Sequence, residues 1–373
     1  MMPRIELLRV LAVPLLLAGL SQPAGAAPLA GKPAIPAVTR KVVYEKVEHG
    51  YRMRIVEAPV PVPGPHQVLV HVKVVSLNRS EIEIMESPGG RDRSGLIAAS
   101  DAAGEVAAIG PEVREFRVGQ RVTSMYFHSW NDGPPAGENV RGALGSSTNG
   151  VFGDFVVLDE TALVPIPKGW SDVDAATLPT AGLTAYTAVI TEGRVGPGKT
   201  VLVQGTGGVS TFALQFAHAL GASVIVTSSS DDKLKRAREL GADQTINYRT
   251  TPEWGAKVLE LTQGHGADLI VEIGGKETLA ESVRCLAQAG TLAIIGVVTG
   301  YGGELPAATL LDKSARAVGI LVGPRVRLRE MEAFMTQHRL KPVIDHVYGL
   351  DGLDQAIEQL RSGQFIGKIL VRL

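Results

Sequence analysis

Cysteine is almost absent from this 373-residue chain, Cys285 being the only one. A single thiol excludes an intramolecular disulfide framework, a four-cysteine zinc lobe and a C-x-x-C redox pair. An excess of charge is lacking too. Thirty-seven basic and 38 acidic residues leave a formal charge of −1, without the positive footprint of a nucleic-acid binder. No apolar run reaches the ~20 residues of a membrane-spanning helix. The amino-terminal run Val10–Leu20 would reach about 16 Å as a helix, roughly half a bilayer core, and holds Pro14. Hydrophobic residues, by contrast, make up 45% of the chain and charged ones 20%, which excludes disorder. Glycine is plentiful, with 43 residues against an ordinary share of ~7%, so tight turns or close backbone approaches are expected. The length suits two domains of roughly 100–200 residues.

Arg4 and Arg9 precede the apolar run, and the small residues Ala24-Gly25-Ala26 follow it. This is the three-part pattern of a secretory signal. Residues 1–26 are expected to be a signal peptide, with the mature protein periplasmic or secreted; an uncleaved tail on a cytoplasmic protein is the alternative. Residues 27–38, rich in Pro, Ala and Gly, read as a linker.

Two rhythms follow. From Arg40 to about Pro167, short Val-rich runs are broken by Pro and Gly (KVVYEKV, QVLVHVKVVSLN, AAGEVAAIG, QRVTSMYF, GDFVVLDE), a spacing that predicts a compact β-barrel-like domain. Within it, Phe127–Gly150 lacks periodicity and reads as a long surface loop, a candidate lid. From about Thr200, apolar strands alternate with helical patterns: TVLVQ, SVIVT, QTIN, ADLIVEI, TLAIIGV and AVGILV, with helices over Val209–Leu220 and Asp231–Leu240. That alternation predicts a parallel sheet buried on both faces, an α/β doubly wound fold. The tail, Pro342–Leu373, reads strand, helix, strand and is a candidate to rejoin the first domain.

The turn after TVLVQ carries Gly205-Thr206-Gly207-Gly208-Val209-Ser210. Gly205 and Gly207 fit G-x-G: one allows the tight turn, the other lets a pyrophosphate approach backbone, and the helix start offers free N–H groups. Strand, turn, helix and second strand occur in order, so the reading is a dinucleotide site. At the end of the second strand, an acidic residue would accept from ribose hydroxyls. Ser228, Ser229 and Ser230 stand there instead, followed by Lys233 and Arg236, with Tyr248-Arg249 beyond the next strand. Hydroxyls and a cation favour a 2′-phosphate, and so NADP(H) over NAD(H). Asp231 and Asp232 argue the other way, or simply cap a helix.

The segments VVSLNRSEI, AASDAAGEVAAIGPEVREFRVGQRV, LPTAGLTAY, VLVQGTGGVSTFALQFA, GADQTINYR and FIGKILV together resemble the medium-chain dehydrogenase/reductase superfamily, within it the zinc-independent, quinone-oxidoreductase-like branch. The resemblance runs from about residue 40 to the end. It implies a GroES-like catalytic domain, split in sequence over 39–166 and 324–373, around a Rossmann domain at 167–323, with the cofactor between them. It also implies a homodimer joined through AVGILV. Asn78 matches the position approaching the nicotinamide, and Thr184 a nicotinamide-ribose contact. Gly274 and Gly296 match glycines where backbone passes the nicotinamide half, and Lys368 sits in the family's closing strand within reach of the cofactor. Each also has a local reading: a turn asparagine, a helix hydroxyl bonding back within its turn, plain turn glycines, a surface lysine.

Zinc-dependent members carry a cysteine ligand where Leu77-Asn78-Arg79-Ser80-Glu81 stands here, so no metal is expected. Hydride transfer from NADPH to a quinone or an activated alkene or carbonyl then fits, with Asn78 donating to the acceptor oxygen or orienting the ribose. The proton donor is open, with His128 one candidate; Tyr126, Phe127, His128 and Trp130 either line a pocket for a flat, apolar or conjugated substrate or form a hydrophobic patch that anchors the loop. Alternatives are an alcohol dehydrogenase acting on small alcohols or aldehydes, and a non-catalytic NADPH-binding sensor or scaffold.

Overall fold

A computed structural model describes residues 35–87 and 90–373. The expected signal peptide and most of the linker lie outside the described residues. Among the described residues, no helix is long and apolar enough to cross a membrane.

The first half is built on strands β1 (Val38–Lys46), β2 (Tyr51–Pro59) and β3 (Gln67–Ser76), helix α1 (Arg79–Glu86), then β4 (Asp101–Ile109), β5 (Arg121–Ser124), β6 (Phe155–Asp159) and β7 (Leu163–Pro165). A helical stretch follows, with α2 (Asp172–Ala176) and α3 (Leu183–Tyr186) separated and trailed by wider π-turns. The second half alternates: β8 (Thr200–Gln204), α4 (Gly208–Ala219), β9 (Ser223–Ser228), α5 (Asp231–Glu239), β10 (Gln244–Asn247), α6 (Trp254–Leu261), β11 (Ala267–Glu272), α7 (Leu279–Cys285), β12 (Leu286–Ile294), α8 (Ala307–Asp312) and β13 (Arg316–Gly319). Helix α9 (Arg325–Gln337), β14 (Ile344–Gly349), α10 (Leu353–Ser362) and β15 (Lys368–Arg372) complete the chain.

Strands β8 to β13 form one parallel sheet in the order β10-β9-β8-β11-β12-β13. The order reverses between β8 and β11, and doubly wound sheets open their ligand crevice at such a switch. Val201, Leu202 and Val203 are fully buried, as expected of a central strand covered on both faces. β12 begins at Leu286, five residues before the run TLAIIGV, because Leu286 pairs with Ala267 across a register shift.

The first half contributes a second sheet, β14-β15-β3-β4-β5-β7, with β6 also on β3. The tail does rejoin it: Leu370–Arg372 of β15 pair antiparallel with Ser76–Val74 of β3. Helix α9 shares its core with the other half. Phe334 meets Tyr186 and Phe216 edge-on at 6.0 and 5.6 Å, and Leu328, Met331 and Met335 are fully buried beside them. Each such side chain contributes about 1.5–3 kcal/mol of burial.

The segment Phe127–Gly150 is irregular, as its composition predicts, but it is pinned rather than lid-like. Phe127, Trp130 and Leu144 are buried, and the backbone N–H groups of Arg325 and Val326 donate to Trp130 and Asn131 (2.8 and 3.0 Å). Those bonds tie it to the start of α9.

Candidate active site

The C-terminal end of β8 turns sharply at Gly205, whose φ of +70° only glycine adopts cheaply. Its N–H donates to Thr227 (2.7 Å), and Ser210 Oγ donates back to Gln204 O (2.7 Å), closing the turn. Helix α4 starts with no side chain capping it, so its first N–H groups face outward, and a Cβ on Gly207 would meet only open space. An uncapped helix start beside an unobstructed glycine fits a diphosphate.

This turn forms one wall of a cleft of ≈ 640 Å³. Thirteen sequence-predicted site residues line it: Asn78, Thr184, Gly205, Thr206, Gly207, Gly208, Val209, Ser228, Ser229, Lys233, Tyr248, Gly296 and Lys368. Gly274 does not. Its N–H is held by Glu272 Oε1 (2.8 Å) and Gln204 Oε1 (3.2 Å), and a Cβ there would overlap Thr278. This glycine therefore answers to local packing. Thr184 is buried on α3 yet makes no bond back along its helix, whereas Thr262 and Thr336 do (2.7 Å each). His128 and Trp130 do not line the cleft. His128 is 3.5 Å from Asp159, and Trp130 Nε1 donates to Gly133 O (3.0 Å), so only Tyr126 and Phe127 of that aromatic group reach it.

At the end of the cleft where the sequence reading puts the adenosine, Ser228 ends β9 and Ser229 follows it, with Tyr248 and Arg249 beside them. Neither Asp231 nor Asp232 lines the cleft; Asp231 accepts from Asn247 Nδ2 (2.8 Å). Lys233 donates to Gly363 O (2.5 Å), and burial, helped by the nearby Arg249 charge, lowers its pKa.

At the other end, Asn78 precedes α1. Its N–H donates to Glu81 (2.5 Å), half of a capping box. Its Oδ1 accepts from Lys368 Nζ, which also donates to Leu77 O (2.5 Å each). Behind it, Ser100 Oγ donates to Asp101 (2.7 Å), and Thr180 is tied to Asp101 by its hydroxyl (2.6 Å) and N–H (3.1 Å). Burial pushes the Glu81 carboxyl up to about 8 and lowers Lys368, while Asp101 and Glu81 pull the lysine back. Sequence reasoning missed Thr180, Ser100 and Asp101, which stand 22 to 102 positions from Asn78 and carry no local motif. It also missed the wall formed by Leu360 and Ser362–Phe365, Arg79, Glu83 and Ile320–Val322. Tyr126 has its hydroxyl pushed up to about 12 by burial, with the Glu81 charge adding to it.

Two family profiles match the chain: "Alcohol dehydrogenase GroES-like domain" over residues 64–168 and "Zinc-binding dehydrogenase" over 208–337. A zinc-type alcohol dehydrogenase-like protein of Schizosaccharomyces pombe is 38% identical over 350 residues, 90% of this chain and 99% of the relative. A quinone oxidoreductase-like protein 2 homologue of Nematostella vectensis is 30% identical, covering 83% of this chain and 82% of its own. A solved structure described as an NAD-dependent alcohol dehydrogenase is 32% identical with a TM-score of 0.79, covering 89% of this chain and 99% of that one. The chain belongs to the medium-chain dehydrogenase/reductase superfamily and is an oxidoreductase built to use a nicotinamide cofactor.

The zinc named by the second profile finds no matching donor set. Among the described residues, no group of three or more His, Cys, Asp or Glu side chains is placed to hold a metal ion. Cys285, the one thiol, is fully buried within α7, where burial pushes it up to about 12.

Proposed function

We propose that the protein is an NADPH-dependent, zinc-independent reductase acting on a quinone or an activated alkene or carbonyl. One observation carries this reading. The cleft that begins at an uncapped glycine turn ends at an asparagine amide backed by a buried lysine, and no side-chain set among the described residues fits a metal there. Reduced nicotinamide, when bound, would supply a hydride, that is two electrons and one proton; the acceptor takes up one further proton from water. The residues of this chain bind, orient and stabilise. Gly205–Val209 hold the diphosphate, while Ser228, Ser229, Tyr248, Lys233 and Arg249 surround the adenosine end. Neither aspartate lines the cleft, and Asp231 is engaged by Asn247, which favours a 2′-phosphate there. Asn78 donates from Nδ2 to the acceptor oxygen as charge gathers on it. Thr184 offers a free hydroxyl to the nicotinamide half. Tyr126, Phe127, Ile295 and Ile320 supply apolar wall for a flat, conjugated ring.

The names of two relatives favour a second reading, oxidation of small alcohols. One experiment separates the readings: titrate the purified protein with NADPH and NADH, then screen quinones, enones, aldehydes and alcohols for change in nicotinamide absorbance. Tighter binding of NADPH and its consumption with a quinone or enone are expected. Turnover only with alcohols and NAD⁺ contradicts the proposal, and binding without turnover leaves a sensor or scaffold. We propose further that residues 1–26 direct export; a protein that starts at Met1 or Met2 in the cytosolic fraction, by amino-terminal sequencing, contradicts this.

A further inference from the structure

Lys368 joins three segments that are far apart in sequence. Gly367, just before it, donates its N–H to Thr206 O in the phosphate turn (2.9 Å). The lysine stem then crosses the start of α4 so closely that a Cβ on Gly208 would stand 2.5 Å from Lys368 Cδ. Its Nζ ends between Leu77 O and Asn78 Oδ1. The side chain is 3% exposed, and an ammonium is buried only where acceptors and opposite charge compensate it. Here two oxygens accept from it, and the Glu81 and Asp101 carboxyls lie near enough to pull on its charge.

An ammonium has donors only, so the asparagine must turn its oxygen to Lys368 and its NH₂ away. That NH₂ has one hydrogen-bond partner among the described residues, Ser100 Oγ at a long 3.5 Å, and Asn78 lines the cleft. A terminal amide torsion is otherwise soft and close to two-fold. A cation on the carbonyl oxygen also draws electron density from the amide and strengthens its N–H donors.

We propose that Lys368 is a positioning residue which, anchored on the phosphate turn, holds the Asn78 amide with its NH₂ aimed at the oxygen of the bound acceptor. The inference rests on the reductase reading and goes beyond it by naming what orients the donor.

The test uses the purified protein and the variants K368M, K368R, N78A and K368M/N78A. Kinetics with the best acceptor are read beside NADPH binding by fluorescence and the side-chain amide NMR signals. The Asn78 signal is assigned by its loss in N78A. K368M, which loosens the donor without removing it, is expected to lower kcat by up to about 100-fold, the lower end of the loss of one oxyanion donor, with the NADPH Kd within about threefold. The double variant should be no slower than the slower single one, since both changes remove one device. K368R, which keeps the donors, should recover part of kcat. The Asn78 NH₂ signal should be slow to exchange in the wild type and K368R, and shifted and fast in K368M. Unchanged kcat in K368M, losses that multiply in the double variant, or a change confined to the NADPH Kd overturns the proposal. Should K368M not fold, an Asn78 signal in K368R as fast-exchanging as a free amide overturns it. A wild type that turns over no acceptor sinks the reductase reading alone, and the amide signals then decide the Lys368 contact on their own.

Discussion

Asn78 shows what a single residue reveals and conceals. The family resemblance carried by VVSLNRSEI made it a site candidate from sequence. Its partners were not legible, because Lys368 lies 290 positions away and acts through a hydrogen bond that no spacing encodes. Gly208 is the reverse case. In the sequence it reads as a phosphate-loop glycine, whereas the structure shows it also clearing the path of Lys368. Gly208→Ala would gain up to ~1 kcal/mol of helix propensity and lose about 1–3 kcal/mol to overpacking against Lys368 and Ala181. The expected outcome is a lower melting temperature together with a lower kcat, checked by calorimetry and steady-state kinetics; a variant more stable and as fast as wild type contradicts the packing.

Glu332 on α9 is a second residue that the sequence does not flag. It is buried, its Oε1 has no hydrogen-bond partner, and burial pushes its pKa up to about 8. The folded state therefore holds a proton that the unfolded chain releases in the ordinary carboxylate range near 4.5. Its contribution to stability is complete below that range and is lost as pH rises toward about 8, at a slope approaching 1.4 kcal/mol per pH unit. Glu332→Gln removes this term. The stability of the variant relative to wild type, measured by urea unfolding, should rise between pH 5 and pH 8; a difference that does not vary with pH refutes the assignment.

Among elements, the parallel strands were the most legible. TVLVQ and QTIN coincide with β8 and β10 because a strand buried on both faces is a plain apolar run. β2 was not singled out: its sequence, YRMRIVEAP, alternates with charges, and Arg52 and Arg54 are satisfied only across the hairpin, by Glu45 (2.5 and 2.7 Å). The ends of β8 and β11 are joined by a device that the sequence hides. Glu272, fully buried, accepts from Gln204 Nε2 (2.7 Å), Ser282 and Thr278 hydroxyls (2.5 Å each), and the N–H groups of Gly274 and Gly275 (2.8 and 2.9 Å). Gln204 immediately precedes the phosphate turn, so this cage sets the wall on which the dinucleotide rests. Glu272→Ala takes the acceptor from five donors; Gln204 Nε2, the Thr278 hydroxyl and the Gly274 N–H keep a second partner, while the Ser282 hydroxyl and the Gly275 N–H are stranded, each costing about 1–3 kcal/mol if left unpaired. A loss of at least about 3 kcal/mol in urea unfolding and a weaker NADPH Kd are expected. A loss under 1 kcal/mol means that water replaces the carboxylate freely.

At the scale of the whole molecule, the strand-helix-strand pattern of the tail made it a candidate to rejoin the first domain and the family resemblance gave the split, but nothing in FIGKILV alone says that it pairs with a strand near residue 75. The six-stranded sheet ends at β13, an open edge among the described residues, with Leu311 and Leu321, which flank it in the chain, exposed at 78 and 51%. An unpaired edge flanked by apolar side chains is a template for another chain, in keeping with the proposed homodimer through AVGILV. Light scattering should give twice the chain mass; a monomer at all concentrations contradicts it.

The account depends above all on where the dinucleotide lies, and a crystal structure of the protein grown with NADPH tests that most directly. It should show the diphosphate against the N–H groups at the start of α4, the 2′-phosphate among Ser228, Ser229 and Arg249, and the nicotinamide beside Thr184 and Asn78. A cofactor bound elsewhere, or a turn at Gly205–Val209 left without it at saturating NADPH, would contradict the account.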